Sequence, residues 1–469
     1  MNRLAVSVLV VLPALCGVVN AQEQERPNII LILTDDLDAR AIDFMPNLQT
    51  LLVRHGTSFS NYFVNVSICC PSRASLLRGQ FAHSTDVHTN RPPYGGFVKF
   101  RDSGLEHSTL ATWLQASGYR TALIGRYLNG YPGNQQTYIP EGWDEWYVPL
   151  MGKLYFKYQL NENGTIHNYG SNEEDYETDV LAAKAVDFIH RVSAKNEPFF
   201  IYLAPRAPHV PAKPAPRHQN VFAGSQIVRG PSFNEADVSD KPLRIRHRRL
   251  LDNNDIDEIE NRYRTRLETL LAVDDMILAV VKALRKTGDI KNTYIFFTSD
   301  NGFHQGEHRI AKGKGTPYDE STRVPLLVRG PNVRPACTTA RFAQNTDIAP
   351  TIAELAGATL PAFVEGRSLA GILKDHSQSA WQQEALVEQW TREDSRDFEA
   401  LRTDDYLYIE YGSGELELYD VRTDPYQLES FHAIADPALL QQLSTRIRSL
   451  TGKAADSSTN VSDASVSER

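Results

Sequence analysis

The chain has 469 residues, 41% of them hydrophobic and 23% charged. That balance excludes a disordered or collagen-like polymer and leaves room for one large α/β domain plus a smaller one. Lys and Arg number 49 against 58 Asp and Glu, a formal net charge of −9. An acidic chain lacks the basic face of a general nucleic-acid binder, so an anionic substrate must be met by a local positive pocket.

In chain order, Arg3 precedes an apolar run, Leu4 to Val19, interrupted by Pro13 and followed by Val19-Asn20-Ala21. This reads as a signal peptide over residues 1–21. The run is shorter than the roughly 20 residues needed to span a bilayer, and no later stretch is long and apolar enough. The expectation is a secreted protein, or a lumenal, lysosomal or periplasmic one according to host, with no stable membrane anchor. Four cysteines occur, Cys16, Cys69, Cys70 and Cys337. Removal of the leader leaves an odd three, which is not a disulfide scaffold.

From Arg26 to about Asp375, strand-like and helix-like segments alternate. Asn28 to Leu33, Phe199 to Leu203, Tyr294 to Phe297 and Val324 to Val328 are apolar runs, the mark of strands buried on both faces; Thr121 to Ile124 is a shorter one. The longest amphipathic stretch is Ile259 to Leu284, with Leu267, Leu270, Leu271, Ile277 and Leu278 on a 3.6-residue period. This alternation predicts a large mixed, mostly parallel sheet sandwiched by helices. Asp375 to Glu384 reads as a linker. Leu407 to Tyr411, Leu416 to Tyr419 and a helix from Pro437 to Leu450 predict a small antiparallel sheet plus helix. The predicted organisation is a leader (1–21), a catalytic domain (22–375), a smaller C-terminal α+β unit (376–452) and a disordered tail (453–469).

The chemistry lies just beyond the strands. Thr34-Asp35-Asp36, Gly125-Arg126-Tyr127, Ala207-Pro208-His209 and Ser299-Asp300-Asn301-Gly302 each come after an apolar run. In open α/β sheets, ligands bind outside the carboxyl ends of strands. Asp35, Asp36, Asp300 and Asn301 are hard oxygen donors, suited to Ca2+ or Mg2+ rather than Zn2+. In Cys69-Cys70-Pro71-Ser72-Arg73, running on to Gly79, Pro71 suits a helix's first turn and Gly79 its end. Cys69 then sits at a helix N-terminus, which attracts an anion, with Arg73 one turn in.

With these motifs together, and with Gly366-Arg367-Ser368-Leu369 and Glu417-Leu418-Tyr419-Asp420 downstream, the chain from Arg26 to Pro425 resembles the formylglycine-dependent (type I) sulfatases. Cys69-Cys70 and Tyr127-Leu128-Asn129 look most like the N-acetylglucosamine-6-sulfatase and heparan endosulfatase branch. The resemblance implies an alkaline-phosphatase-like fold and hydrolysis of sulfate monoesters on sugars or aryl groups. It implies that a formylglycine-generating enzyme oxidises Cys69, whose hydrated aldehyde attacks sulfur with one oxygen and expels sulfate with the other. Arg73 assists the attack, and Asp35, Asp36, Asp300 and Asn301, with the modified Cys69, match the Ca2+ site. His209 matches the proton donor to the leaving oxygen. Lys314 matches a sulfate-binding lysine, and Arg126 stands where that family usually has a second. Leu128 stands where many arylsulfatases have histidine, a place Asn129 or His83 would take over. His304 is a candidate substrate-pocket residue. Two other functions fit the same residues: a phosphate or phosphonate monoester hydrolase on this fold, and a non-catalytic glycan-binding relative.

Three further features have plainer readings. His304 to His308 matches H-x-x-E-H, but Gly306 and the preceding Asp300-Asn301-Gly302 place it in a loop. Asp274-Asp275 lies mid-helix, one a structural acceptor and the other solvated. Arg244 to Arg249 is basic and lies beside the acidic stretch Asp252 to Glu260; it either holds a sulfated polysaccharide or is balanced by its neighbour. Asn163 and Asn460 are possible N-glycosylation sites, whereas Asn65 is too close to Cys69 to be exposed.

Overall fold

The computed structural model describes residues 26–150, 154–375, 381–392 and 396–452. The expected leader, the expected tail with Asn460, and half of the expected linker lie outside the described residues.

The main sheet has ten strands: β1 (Asn28–Thr34), β2 (Thr57–Phe63), β3 (Arg120–Gly125), β4 (Glu145–Pro149), β5 (Gln159–Glu162), β6 (Thr165–Asn168), β7 (Phe199–Ala204), β8 (Thr293–Ser299), β9 (Leu326–Arg329) and β10 (Cys337–Gln344). Their spatial order is β10-β2-β9-β8-β1-β7-β3-β4-β5-β6. The centre, from β8 through β1, β7 and β3 to β4, is parallel throughout. Antiparallel pairings lie on either side of it, through β9 and through β5 and β6.

Both faces of the centre are covered, which is why its strands read as continuous apolar runs. Ile29, Leu31, Phe200, Tyr202 and Phe296 face one core, which also takes Leu76 and Leu77 from the helix Cys69–Arg78 and Ile352 from Ile348–Ala356. Ile30, Ile32, Ile201, Leu203 and Phe297 face the other, under the helices Glu177–Ser193 and Asn253–Thr287. The latter helix starts at Asp252, whose side chain accepts the Asp255 N–H at 3.0 Å, and ends at the left-handed Gly288.

The second sheet is antiparallel, β11 (Glu384–Gln389), β12 (Phe398–Thr403), β13 (Tyr406–Tyr411) and β14 (Leu416–Asp420) in sequential order. Leu443 and Ile447 of the helix Pro437–Leu450 pack on its Leu386, Leu401, Tyr408 and Leu418. Its other face, with Val387, Ala400 and Ile409, packs on Val238, Ile245, Ile310 and Tyr318. The small sheet thus leans on the loop that leads from Lys314 to Tyr318.

Candidate active site

Two acidic clusters 264 residues apart meet because of register. β1 and β8 run parallel with Thr34 opposite Ser299, so Asp35 and Asp300 leave the sheet at the same height. On the other side β7 aligns Leu203 with Ile32, and β3 aligns Gly125 with Ala204, which brings Arg126 to the same rim. Gly125 has φ +116°, and a Cβ there would lie 2.1 Å from the Ala204 carbonyl, so only glycine makes this turn. Asp36 has φ 66°. Its backbone N–H donates to Asp300 Oδ1 at 3.2 Å, and its carbonyl accepts from Arg266 Nη2 at 2.5 Å. Arg266 also donates to the Pro208 carbonyl at 3.2 Å, so one buried cation braces the backbones that present Asp36 and His209.

The helix Cys69–Arg78 delivers the cysteine. Pro71 is in its first turn and Gly79 closes it at φ 62°. Asn90 Oδ1 accepts the Cys70 N–H at 2.8 Å, satisfying one of the open donors of the first turn. Cys69 is 1% exposed. Its Sγ lies 3.5 Å from Asp35 Oδ1 and 3.9 Å from Asp36 Oδ1, and Lys314 Nζ donates to it at 2.7 Å. Burial pushes the thiol well above its ordinary range, Asp300 and Asp36 add to that, and Lys314 and Arg73 only partly offset it. Unmodified, this sulfur is a protonated thiol at neutral pH and a poor nucleophile.

Three cations meet three carboxylates. Arg73 donates through Nε to Asp300 Oδ2 at 2.8 Å and through Nη1 to the Arg126 carbonyl at 2.7 Å, with Nη2 3.4 Å from Asp35 Oδ2. Arg126 Nη1 bonds Asp35 Oδ2, and Lys314 Nζ bonds Asp36 Oδ1. Burial and the like charge of Arg206 lower Arg126 to about 10, so it stays charged at neutral pH. Burial opposes ionisation of Asp36, but Lys314, His209 and Asn301 hold it at about 2. His209 lies with Nε2 3.7 Å from Asp36 Oδ2. Burial, against the pull of Asp36 and helped by Arg126 and Lys314, lowers it to about 4.

The donor set fits a hard cation. Carboxylate oxygens of Asp35 and Asp36, Cys69 Sγ and a His209 nitrogen lie within 4.8 Å of one another. Asn301 spends its Nδ2 on Asp36 Oδ1 (2.7 Å) and on the Gly302 carbonyl (2.8 Å), while its Oδ1 is buried without a hydrogen-bond donor. A buried amide oxygen with no donor, on a residue whose nitrogen bonds Asp36, suits oxygen coordination of Ca2+ or Mg2+.

Other expected residues fall elsewhere. Asn129 sits beside Cys70: its backbone carbonyl accepts the Phe97 N–H at 2.7 Å, and its backbone N–H faces the Cys70 sulfur. Leu128 is a core residue, and His83 pairs with Glu388 at 2.9 Å. His304 is fully buried and bonds Thr316 Oγ1 at 2.7 Å, so it acts on the loop that carries Lys314. The H-x-x-E-H segment is not helical. Its His308 is held between Glu235 (2.7 Å) and Glu320 (3.6 Å). Asp274 accepts the N–H groups of Asn47 and Leu48, and Asp275 pairs at the surface with Arg217 and His218. Asn163 lies in the β5–β6 turn, its Oδ1 accepting the Trp146 N–H at 2.6 Å and its Nδ2 donating to Tyr147 at 3.3 Å. Asn65 is fully buried. A cavity of about 920 Å3, lined by Phe44, Tyr263, Phe303, Glu307 and Glu320, lies apart from this cluster.

Sequence reasoning missed Asn90 and Arg266, and it met Glu417 in the Glu417-Leu418-Tyr419-Asp420 motif without a role for it. Glu417 is a fully buried carboxylate that accepts from the hydroxyls of Tyr318 (3.0 Å), Tyr411 (2.6 Å) and Tyr419. It ties the small sheet to the end of the Lys314 loop. Asn90 and Arg266 have no local sequence signal, and the motif does not give Glu417 its role, because each acts on residues far away in the chain.

A parallel sheet that gathers carboxylates, three cations and a helix N-terminus at its carboxyl rim defines a hydrolase of anionic esters. Residues 27–358 match the model of the sulfatase family, and residues 306–453 match that of the C-terminal region of N-sulphoglucosamine sulphohydrolase. The chain belongs to the sulfatase family and is a sulfuric ester hydrolase. Human N-acetylglucosamine-6-sulfatase is 33% identical over 94% of this chain and 88% of its own length. An arylsulfatase of Volvox carteri is 33% identical over 94% of this chain and 77% of its own. A solved structure in complex with its substrate, D-glucosamine-2-N,6-O-disulfate, superposes with a TM-score of 0.76 at 25% identity, covering 92% of this chain and 99% of that one. These relatives place the chain in the N-acetylglucosamine-6-sulfatase branch.

Proposed function

We propose that the chain is an exported sulfatase that removes sulfate from sulfated sugars, using formylglycine made from Cys69 and a divalent cation held by Asp35, Asp36, Asp300 and Asn301. The observation that carries this reading is Cys69 itself. It is buried at a helix N-terminus within 3.5 Å of Asp35 and 2.7 Å of Lys314, in surroundings that keep a plain thiol protonated. Formylglycine at this position, installed by a formylglycine-generating enzyme, supplies an oxygen nucleophile where a thiol is inert. Ca2+ or Mg2+ supplies Lewis-acid polarisation of the sulfate oxygens.

The chain's own residues do the rest. Arg73, Arg126 and Lys314 gather positive charge around the carboxylates beside position 69 and bind the sulfate oxygens once the substrate arrives. His209 faces the same point and gives a proton to the leaving sugar oxygen. Its imidazole is neutral in the free enzyme, and the negative charge of the bound sulfate favours its protonated form. The apolar leader, and likeness to an extracellular sulfatase SULF-1 homolog of Drosophila melanogaster (33% identical over 79% of this chain and 33% of that one), support export.

The test is desulfation of glucosamine 6-sulfate by purified enzyme, beside nitrophenyl sulfate and nitrophenyl phosphate. Release of sulfate from the sugar, lost in Cys69→Ala, is expected. Faster cleavage of the phosphate than of either sulfate would overturn the assignment.

A further inference from the structure

The basic run Arg244 to Arg249 begins in the helix Leu243–Arg246, fixed in place by Ile245, which is fully buried in the core shared with Tyr318 and Val387. Its arginines divide into two kinds. Arg246 pairs with Glu415 at 3.3 Å, and Arg249 with Asp255 at 2.6 Å and Asp252 at 3.3 Å. Arg244 and Arg248 have no carboxylate within ion-pair distance among the described residues. Arg244 Nη2 instead reaches the carbonyl of Gly315 at 3.5 Å. Gly315 follows Lys314, so this guanidinium contacts the backbone of the loop whose lysine reaches Cys69. Arg248 stands close enough to Arg244 and Arg396 for their charge to depress its own ionisation, after burial, and the charge of both Arg244 and Arg248 is felt at His304 under the same loop. Two adjacent, unneutralised cations repel each other until an anion lies between them.

We infer that Arg244 and Arg248 form a second anion subsite beside Lys314, which takes a sulfate or carboxylate borne by the substrate in addition to the sulfate ester that is cut. The inference rests on the sugar-sulfatase reading and narrows it to multiply anionic glycans. Guanidinium groups suit both anions because their paired N–H donors match two oxygens. The other arginines of the run serve as internal controls, since their charge is already spent within the protein.

The experiment uses full-length enzyme and three probes: glucosamine 6-sulfate, glucosamine 2-N,6-O-disulfate, and a 6-sulfated disaccharide that carries a uronate. Wild type is expected to show a lower KM for the two doubly charged probes, a preference that fades as salt is raised. Arg244→Ala and Arg248→Ala should each shrink the KM ratio between singly and doubly charged probes by about tenfold, the worth of a charge-assisted contact, with kcat on the doubly charged probes holding. Arg244→Lys should restore part of the ratio, and Arg246→Ala should leave it intact. A drop for the disulfate alone, or for the uronate alone, identifies which anion is read. An unchanged ratio in both alanine variants, with wild-type melting temperatures, overturns the subsite while the sulfatase assignment stands. No cleavage of any sulfated sugar by wild type sinks both.

Discussion

Asn301 donates its amide nitrogen to Asp36 Oδ1 at 2.7 Å and leaves its own oxygen buried without a donor. In the proposed cation site that oxygen is the fourth hard donor beside Asp35, Asp36 and Asp300. Removing the cation should leave three carboxylates facing each other with only Arg73, Arg126 and Lys314 to offset them. Chelator-treated enzyme is therefore expected to lose sulfatase activity and to melt at a lower temperature, with both restored by Ca2+ or Mg2+. Asn301→Ala should weaken metal binding in direct titration. Full activity and an unchanged melting temperature in metal-free enzyme, checked by elemental analysis, would contradict the oxygen-ligand site.

The two adjacent cysteines should behave differently. Cys69 faces the carboxylates and Lys314, whereas Cys70 is buried among core residues and its N–H caps on Asn90. Peptide mass spectrometry of active enzyme is expected to find formylglycine at position 69 and an intact thiol at position 70. Cys69→Ala should abolish turnover. Cys70→Ala should retain it at a stability cost of about 1 kcal/mol, from a small cavity. An unmodified Cys69 in fully active enzyme would refute the conversion.

What can be read in the sequence tracks how each segment is buried. β1, β7 and β8 are covered on both faces and show as unbroken apolar runs, so their ends, and with them Asp35, His209 and Asp300, can be placed. β2 and β10 do not show. They lie toward one side of the sheet, and Thr57–Phe63 and Cys337–Gln344 carry more accessible polar residues between buried ones. Asn163-Gly164 reads first as a glycosylation sequon, yet both residues have positive φ and form the turn of the β5–β6 hairpin, a pairing that asparagine-glycine signals strongly. Asn129 shows the limit of motif transfer: the motif locates the segment but not which part of the residue faces the cysteines. Arg266 is invisible, and Glu417 shows only as a motif residue without a role, because a buried charge acquires meaning only from partners brought close by folding.

His304 and His308 stand four residues apart and should titrate in opposite directions. Burial would lower His308, but Glu235 and Glu320 outweigh it and raise the imidazole to about 9. Burial dominates at His304 and lowers it to about 3. An unfolded histidine titrates near 6.5. Between 6.5 and 9 the folded state holds the extra proton at His308, so that contribution is full below 6.5 and is lost as pH rises through the window. Between 3 and 6.5 the unfolded state holds the extra proton at position 304, so stability falls as pH drops through that window. Urea unfolding across pH 4 to 9 should show His308→Gln flattening the alkaline decline and His304→Gln flattening the acid one. The His308 variant should also lose about 3 kcal/mol near neutrality, having broken a buried ion cluster. Parallel pH curves for wild type and both variants would rule out these assignments.

Leaving-group chemistry and sulfate binding should separate at His209 and Arg126. A sugar alkoxide leaves poorly and needs a proton as the S–O bond breaks, whereas nitrophenolate does not. His209→Ala is therefore expected to slow glucosamine 6-sulfate cleavage about 100- to 10,000-fold and nitrophenyl sulfate cleavage far less. Arg126 bonds Asp35 at the rim, and in its proposed role it would meet the sulfate oxygens whatever the leaving group. Arg126→Ala should slow both substrates by similar factors, and Arg126→Lys should keep much of the rate. A second consequence comes from the position of His209 at about 4 in the free enzyme. If its proton arrives with the anion, inorganic sulfate must bind the protonated form more tightly. Inhibition by sulfate should then strengthen as pH falls from 7 to 5 in wild type, and that added slope should vanish in His209→Ala. Equal slowing of both substrates in His209→Ala, with a pH-independent inhibition constant in wild type, would reduce His209 to a positioning residue and leave the leaving oxygen without a protein proton donor.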